Sequence, residues 1–126
     1  MARTVLIVED SESSATPLEI ALAEISGIEV LMLSNARDAL DIFCNRGRDI
    51  AALVTDLHLP LMDGFELIEE VRRDKRYSGM PILVVTADTD PTTPDRVRRL
   101  GANACFPKPY SPAEIRQKLE NLLHGF

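Results

Sequence analysis

Tryptophan is absent from this chain, and tyrosine, cysteine and histidine occur only twice each. The two cysteines, Cys44 and Cys105, fit a reducing compartment. Neither has the paired Cys/His spacing of a zinc site, so both are expected to be buried as small apolar residues. No segment approaches the ~20 apolar residues of a membrane span. The opening MARTVLIVED has a single Arg and a short apolar run that ends in acids, unlike a secretory signal. A cytoplasmic protein without membrane contact is expected. Positive charge is the scarcer sign, 14 Lys and Arg against 20 Asp and Glu for a net charge of -6. That excludes general nucleic-acid binding, which needs a basic field to displace counterions. An acidic balance instead suits a protein that holds a divalent cation.

The 126 residues, 45% hydrophobic and 27% charged, suffice for one domain with a proper core, taken to span 1–126. The stretch 51–64, AALVTDLHLPLMDG, organises the rest. Its apolar start lacks the alternation of a half-exposed strand and predicts a strand buried on both faces, ending in Asp56. Pro60 cannot continue a ladder, and Asp63-Gly64 is a turn dipeptide before the periodic FELIEEV, so a loop and a helix follow.

Other strands are expected at 4–8 (TVLIV, running into Glu9-Asp10), 28–33, 81–87 (ending in Thr86-Ala87-Asp88) and 103–107, which leads to Lys108-Pro109. Thr16-Pro17-Leu18-Glu19 reads as a capping box with Pro in the first turn of a helix carrying Leu18, Leu22 and Ile25 inward. Ser34 or Asn35 caps a second helix with Ala36, Ala39, Leu40 and Phe43 inward, ending at Asn45-Arg46-Gly47. Phe65, Leu67, Ile68 and Val71 line the third helix, after which the charge-rich RRDKRYSG reads as a solvated helix end and loop. Pro91 and Pro94 delay a short fourth helix with Val97 and Leu100 inward and Gly101 as its C-cap. Ser111-Pro112-Ala113-Glu114 opens the last helix, with Ile115, Leu119 and Leu122 inward.

Strands alternating with helices at short spacing predict an α/β doubly wound fold, a five-stranded parallel sheet with five helices on both faces. If all strands run the same way, Glu9, Asp10, Asp56, Thr86 and Lys108 emerge on one sheet edge, where open α/β sheets bind ligands. Three converging carboxylates repel one another and call for a hard, oxygen-seeking cation such as Mg2+. Lys108 offers a point charge and Thr86 a hydroxyl, both suited to a group with three charged oxygens. One carboxylate is then free to act as a nucleophile toward phosphorus, a step that needs mainly positioning and charge neutralisation. Singly, each residue has a plainer role: helix caps for the acids, a strand-end threonine, a surface lysine. Only the joint pattern favours a site.

The ordered motifs VLIVED, TDLHLPLMDG, VVTAD and FPKP, with the closing helix, resemble the receiver domain of bacterial two-component response regulators over nearly the whole chain. The resemblance implies a flavodoxin-like strand order 2-1-3-4-5, with Asp56 as phosphoacceptor. Glu9, Asp10, Asp56 and the backbone carbonyl of His58 would hold Mg2+, Thr86 and Lys108 would contact the phosphoryl oxygens, and Lys108-Pro109 would be cis. The phosphodonor implied is a sensor histidine kinase or histidine phosphotransfer protein. A downstream target would dock on the face of the fourth helix, fifth strand and fifth helix, where Arg96, Arg98 and Arg99 otherwise read as a soluble face. His58 and Asp88 are expected to line the site and govern water access to the modified acid.

One position departs from the family. Members generally carry Tyr or Phe three residues before the lysine, a ring that swings inward on phosphorylation, and here that residue is Cys105. Phe106 points to the opposite face and does not substitute. Two other functions therefore stand beside the phosphoacceptor: an interaction module with this fold that no longer uses phosphate, and an aspartate-nucleophile phosphohydrolase of the haloacid dehalogenase type. The second normally needs an acid where this chain has His58 and a cap domain for which there is no room. The expected protein is thus no general enzyme and acts only on its own aspartyl phosphate. Whether it is free-standing or part of a larger regulator is open.

Overall fold

Every strand of this protein is short, apolar and rich in Val, Ile, Leu or Ala, and in the computed structural model, which describes residues 3–45 and 49–124, all pair in parallel. The strands are β1 (Arg3–Val8), β2 (Ile28–Leu33), β3 (Ile50–Thr55), β4 (Ile82–Thr86) and β5 (Ala104–Pro107), in the order β2-β1-β3-β4-β5. The helices are α1 (Glu12–Ala23), α2 (Ala36–Cys44), α3 (Gly64–Arg73), α4 (Thr93–Leu100) and α5 (Pro112–His124). The registers Ile7↔Val54, Val8↔Thr55 and Val54↔Leu83 align the C-terminal ends of the three central strands. The residues following them share one edge, as the apolar runs predict.

Side-chain alternation divides the core in two. Leu6, Val8, Leu53 and Val84 face α2, α3 and α4, where Ala39, Phe43, Leu67, Ile68 and Val97 meet them. Val5, Ile7, Val54 and Val85 face α1 and α5 and pack on Leu18, Leu22, Ile115 and Leu119. All six residues of β3 are buried. At about 1.5–3 kcal/mol for each fully buried large aliphatic side chain, β3 is the costliest strand to expose. The edge strands β2 and β5 are only half covered. Cys105 faces the first layer and Phe106 the second, as period-two alternation requires.

The structure corrects three local expectations and decides between the two caps open for α2. Helix α1 starts at Glu12 rather than Pro17: the carbonyl of Ser11 accepts from Ala15 N at 3.0 Å, and Thr16 Oγ1 donates back to Glu12 O at 2.9 Å instead of capping. Pro17 consequently sits inside the helix, where its ring removes an amide from the ladder. Asn35, not Ser34, caps α2 by accepting from Asp38 N at 2.8 Å. The helix closes at Asn45, and Arg46-Gly47 lies outside the described residues.

The tract RRDKRYSG is not simply solvated. It forms a 3-10 turn at Lys75–Tyr77, with Tyr77 buried edge-on to Phe43 and donating its hydroxyl to Phe43 O at 3.1 Å. Arg72 donates to Gly101 O at 2.7 Å and to Tyr77 O at 2.5 Å, binding α3 to the C-cap of α4. Finally, Cys44 is exposed at the outer end of α2, and Cys105 is only partly covered.

Candidate functional site

Parallel strands put the first residue after each buried run at the same rim. Asp56 follows β3 with its backbone still in the sheet, its amide bonded to Val8 O at 3.0 Å, and the residue is only 6% exposed. Its Oδ1 accepts from Leu57 N at 2.6 Å and, more weakly, from His58 N at 3.4 Å, which fixes the side-chain direction. The loop beyond is closed by Gly64 N donating to Leu57 O at 2.8 Å, and Asp63 caps α3 by accepting from Glu66 N. Glycine at 64 is required by space: a Cβ there would lie 2.2 Å from Asp56 O and 2.8 Å from Leu57 Cα. Leu61, in the same loop, has φ 70 and is 97% exposed.

Glu9 and Asp10 follow β1, the immediate neighbour of β3. One carboxylate oxygen from each of Glu9, Asp10 and Asp56 lies within 4.8 Å of the others. Lys108, held after β5 by Lys108 N donating to Thr86 O at 2.8 Å, reaches into this group. Its Nζ donates to Glu9 Oε2 at 2.6 Å and to Asp56 Oδ2 at 2.7 Å. The Lys108-Pro109 peptide is cis.

Burial dominates the shift of Glu9: desolvation raises its pKa above the usual 4.5, the Lys108 ammonium opposes this, and the charge of Asp56 adds to it. Desolvation pulls Lys108 down, but its two carboxylate partners outweigh that and leave its pKa above 10.5. The residues fit Mg2+. They supply three acids in one small space, Glu9 and Asp56 already drawn together on the Lys108 ammonium, and hard oxygen donors are what that ion selects.

The second half of the rim comes from the segment after β4. Thr86 is buried at 2% exposure, and together with Asp88, Cys105 and Lys108 it lines a cleft of about 280 Å3. Thr86 Oγ1 accepts from Asp88 N at 3.0 Å, so its own hydroxyl proton stays available to an incoming oxygen. His58 and Asp88, predicted to line the site from different loops, meet directly: His58 Nε2 donates to Asp88 Oδ2 at 3.0 Å. The Asp90 amide first, and His58 second, hold the Asp88 carboxyl below its usual range. Burial, with Asp88 nearby, pushes the Cys105 thiol up, which keeps it protonated and unreactive near neutrality. Arg96 departs from a simple solvated face, since its guanidinium stacks over Phe65 at 3.7 Å.

Three residues at the rim escaped the sequence reading. Gly64 had a turn signal but no sign of its contact with Asp56. Tyr110 donates its hydroxyl to Ser14 O at 3.0 Å and ties the loop after β5 to α1. Thr93, the first residue of α4, donates to Asp88 Oδ2 at 3.2 Å.

A doubly wound parallel sheet in this order, with acids from two strand ends meeting a lysine from a third, defines a phosphotransfer-type receiver architecture, and residues 5–120 match the response regulator receiver domain. The chain belongs to that family. It is 30% identical over 118 residues to a chemotaxis protein CheY homolog of Campylobacter jejuni, covering 94% of this chain and 90% of that protein. It is 34% identical over 123 residues to the transcriptional regulatory protein GltR of Pseudomonas aeruginosa, covering 96% of this chain but 49% of GltR. A crystal structure of a putative response regulator from Chloroflexus aurantiacus superimposes with a TM-score of 0.86 at 31% identity, covering 98% of this chain and 99% of that one.

Proposed function

We propose that this receiver domain takes a phosphoryl group on Asp56 from the phosphohistidine of a sensor histidine kinase or histidine phosphotransfer protein. The observation that carries this reading is the placement of Asp56 Oδ2 2.7 Å from the Lys108 ammonium, within a cluster whose other acids are Glu9 and Asp10. Glu9, Asp10, Asp56 and the His58 carbonyl would hold Mg2+, which when bound neutralises charge on the transferring group. Asp56 oxygen forms the new bond to phosphorus, the phosphorus–nitrogen bond breaks, and its electron pair returns to the imidazole, which takes up a proton. Lys108 follows the charge from the carboxylate to the phosphoryl oxygens, and the Thr86 hydroxyl donates to another of them. Burial of Asp56 limits water at the acid, and His58 with Asp88 screens the open side.

The domain catalyses only its own phosphorylation and dephosphorylation, in the cytoplasm, and passes the signal to a protein target at the α4–β5–α5 face, with no nucleic acid touched directly. Among the described residues, no helix is long and apolar enough to cross a membrane. Cys105 in place of the switch ring supports one second reading, a phosphate-independent interaction module. Incubation with Mg2+ and acetyl phosphate, followed by intact-protein mass measurement, decides between them. One phosphoryl group on the wild type and none on Asp56→Asn is expected. An unmodified wild type would favour the interaction module, and many turnovers on a general phosphate ester would favour a phosphohydrolase.

A further inference from the structure

We propose that Tyr110 is a positioning residue for the metal site: its hydroxyl holds the loop carrying Glu9 and Asp10 in place against Lys108. This role rests on the reading of Glu9, Asp10 and Asp56 as the Mg2+ site of a phosphoacceptor. From Glu9 the contacts run in a closed circuit. Glu9 Oε1 accepts from Ser11 N at 3.2 Å. Ser11 O accepts from Ser14 N at 3.2 Å and Ala15 N at 3.0 Å, which closes the first turn of α1. Ser14 O, in that turn, accepts from the Tyr110 hydroxyl at 3.0 Å. Two residues before Tyr110, Lys108 Nζ donates to Glu9 Oε2 at 2.6 Å. The circuit leaves one oxygen of the Glu9 carboxylate and returns to the other, and the phenol is its bridge between α1 and the loop after β5.

The other restraints on that first turn are weak, which gives the phenol its leverage. Ser11, at the N-cap of α1, makes no side-chain capping bond, and Pro17 removes an amide from the ladder further along the helix. Tyr110 is the firmer partner. Its ring packs on the core layer beneath α1 and α5. The next residue, Ser111, opens α5 by accepting from Glu114 N at its carbonyl, at 3.1 Å, and at its hydroxyl, at 3.3 Å. An anchored ring thus steadies a loosely capped turn. Without the bond, the Glu9-Asp10-Ser11 loop has to be ordered at the moment an ion binds, and that entropy cost weakens binding. Asp56 is spared, because its side chain is directed by Leu57 N and His58 N from a different loop.

The molecule carries its own control. Tyr77, before β4 at the opposite edge of the sheet, donates its hydroxyl to Phe43 O at 3.1 Å, the same kind of bond remote from the acids. Thermal unfolding of the full chain over a series of Mg2+ concentrations reads metal-free stability and the Mg2+ dissociation constant together. Labelling by acetyl phosphate, followed by intact mass, reads the chemistry. Tyr110→Phe, which keeps the ring, is expected to raise the dissociation constant about fivefold or more. Its labelling rate should return to that of the wild type at saturating Mg2+. Tyr77→Phe should leave the constant unchanged, whatever it does to metal-free stability. An unchanged constant in Tyr110→Phe, an equal rise in Tyr77→Phe, or a labelling rate that saturating Mg2+ does not restore overturns the positioning role while leaving the phosphoacceptor intact. A wild type that neither gains stability from Mg2+ nor takes up a phosphoryl group overturns both.

Discussion

The two halves of the rim are built on opposite principles. The half formed after β1, β3 and β5 is buried and charged: Glu9 and Asp56 are each 6% exposed, and one ammonium is shared between them. The half formed after β4, which His58 reaches from the loop after β3, is a chain of side-chain and backbone hydrogen bonds in partly open loops, with the His58 side chain 62% exposed. Charge held out of water changes greatly in energy when one partner is altered, whereas exposed hydrogen bonds exchange readily with solvent. The first half is suited to hold chemistry still, and the second is suited to move.

If the contrast holds, the buried half breaks hardest. Gly64→Ala is expected to have the largest effect, because the new methyl meets backbone atoms of Asp56 and Leu57 at 2.2 and 2.8 Å rather than a movable side chain. A loss of about 3 kcal/mol or more in urea unfolding is expected, together with slower phosphorylation as the acid is displaced. Near-wild-type stability would show that the turn under Asp56 is not rigid. Lys108→Ala follows closely. It leaves Glu9 and Asp56 facing each other without their cation, at a cost of about 3 kcal/mol. Mg2+ should restore part of that loss, which distinguishes repulsion between the acids from lost packing.

What was readable in the sequence divides along the same line. Uninterrupted apolar runs ending in Glu9-Asp10, Asp56, Thr86 and Lys108 announce strands and their polar ends, because a buried parallel strand must change character where it meets solvent. Those residues assembled as read. The helix start was misread because Thr16-Pro17-Leu18-Glu19 satisfies a local capping pattern, while the helix takes its first turn from Ser11, which carries the weaker signal. Arg72 was misread for a different reason: its acceptor Gly101 O lies 29 residues away, and nothing local marks a guanidinium for a distant carbonyl. Thr93 and Asp88 meet for the same kind of reason, across a loop whose path sequence spacing does not define.

Exposed strain in the loop beside the acid gives a smaller effect of opposite sign. Leu61 occupies the left-handed region with φ 70 while 97% of its surface is in water, so its side chain contributes almost no burial to offset the strain. Leu61→Asn is expected to stabilise by about 1 kcal/mol, since asparagine tolerates that conformation. A higher melting temperature with unchanged phosphorylation would place the strain outside the chemistry. A stabilised variant that is phosphorylated more slowly by its kinase would instead make Leu61 a contact for the donor.

The smallest effect follows from the raised pKa of Glu9. Burial lifts its carboxyl above 4.5 in the folded state, so between 4.5 and the folded value the native protein binds more protons than the unfolded chain. Stability from this group is therefore greatest below that window and declines as pH rises through it. Lys108 limits the decline because it rewards the charged form. Glu9→Gln removes the titration but keeps an oxygen near the ammonium, so the stability of the wild type relative to this variant should fall with rising pH across the window and then level off. Saturating Mg2+ should reverse the sign, because an ion that binds the carboxylate stabilises only the deprotonated folded state. A pH-independent difference in the absence of metal would mean that the ammonium fully compensates burial, and the buried half of the rim would then be neutral rather than poised for a cation.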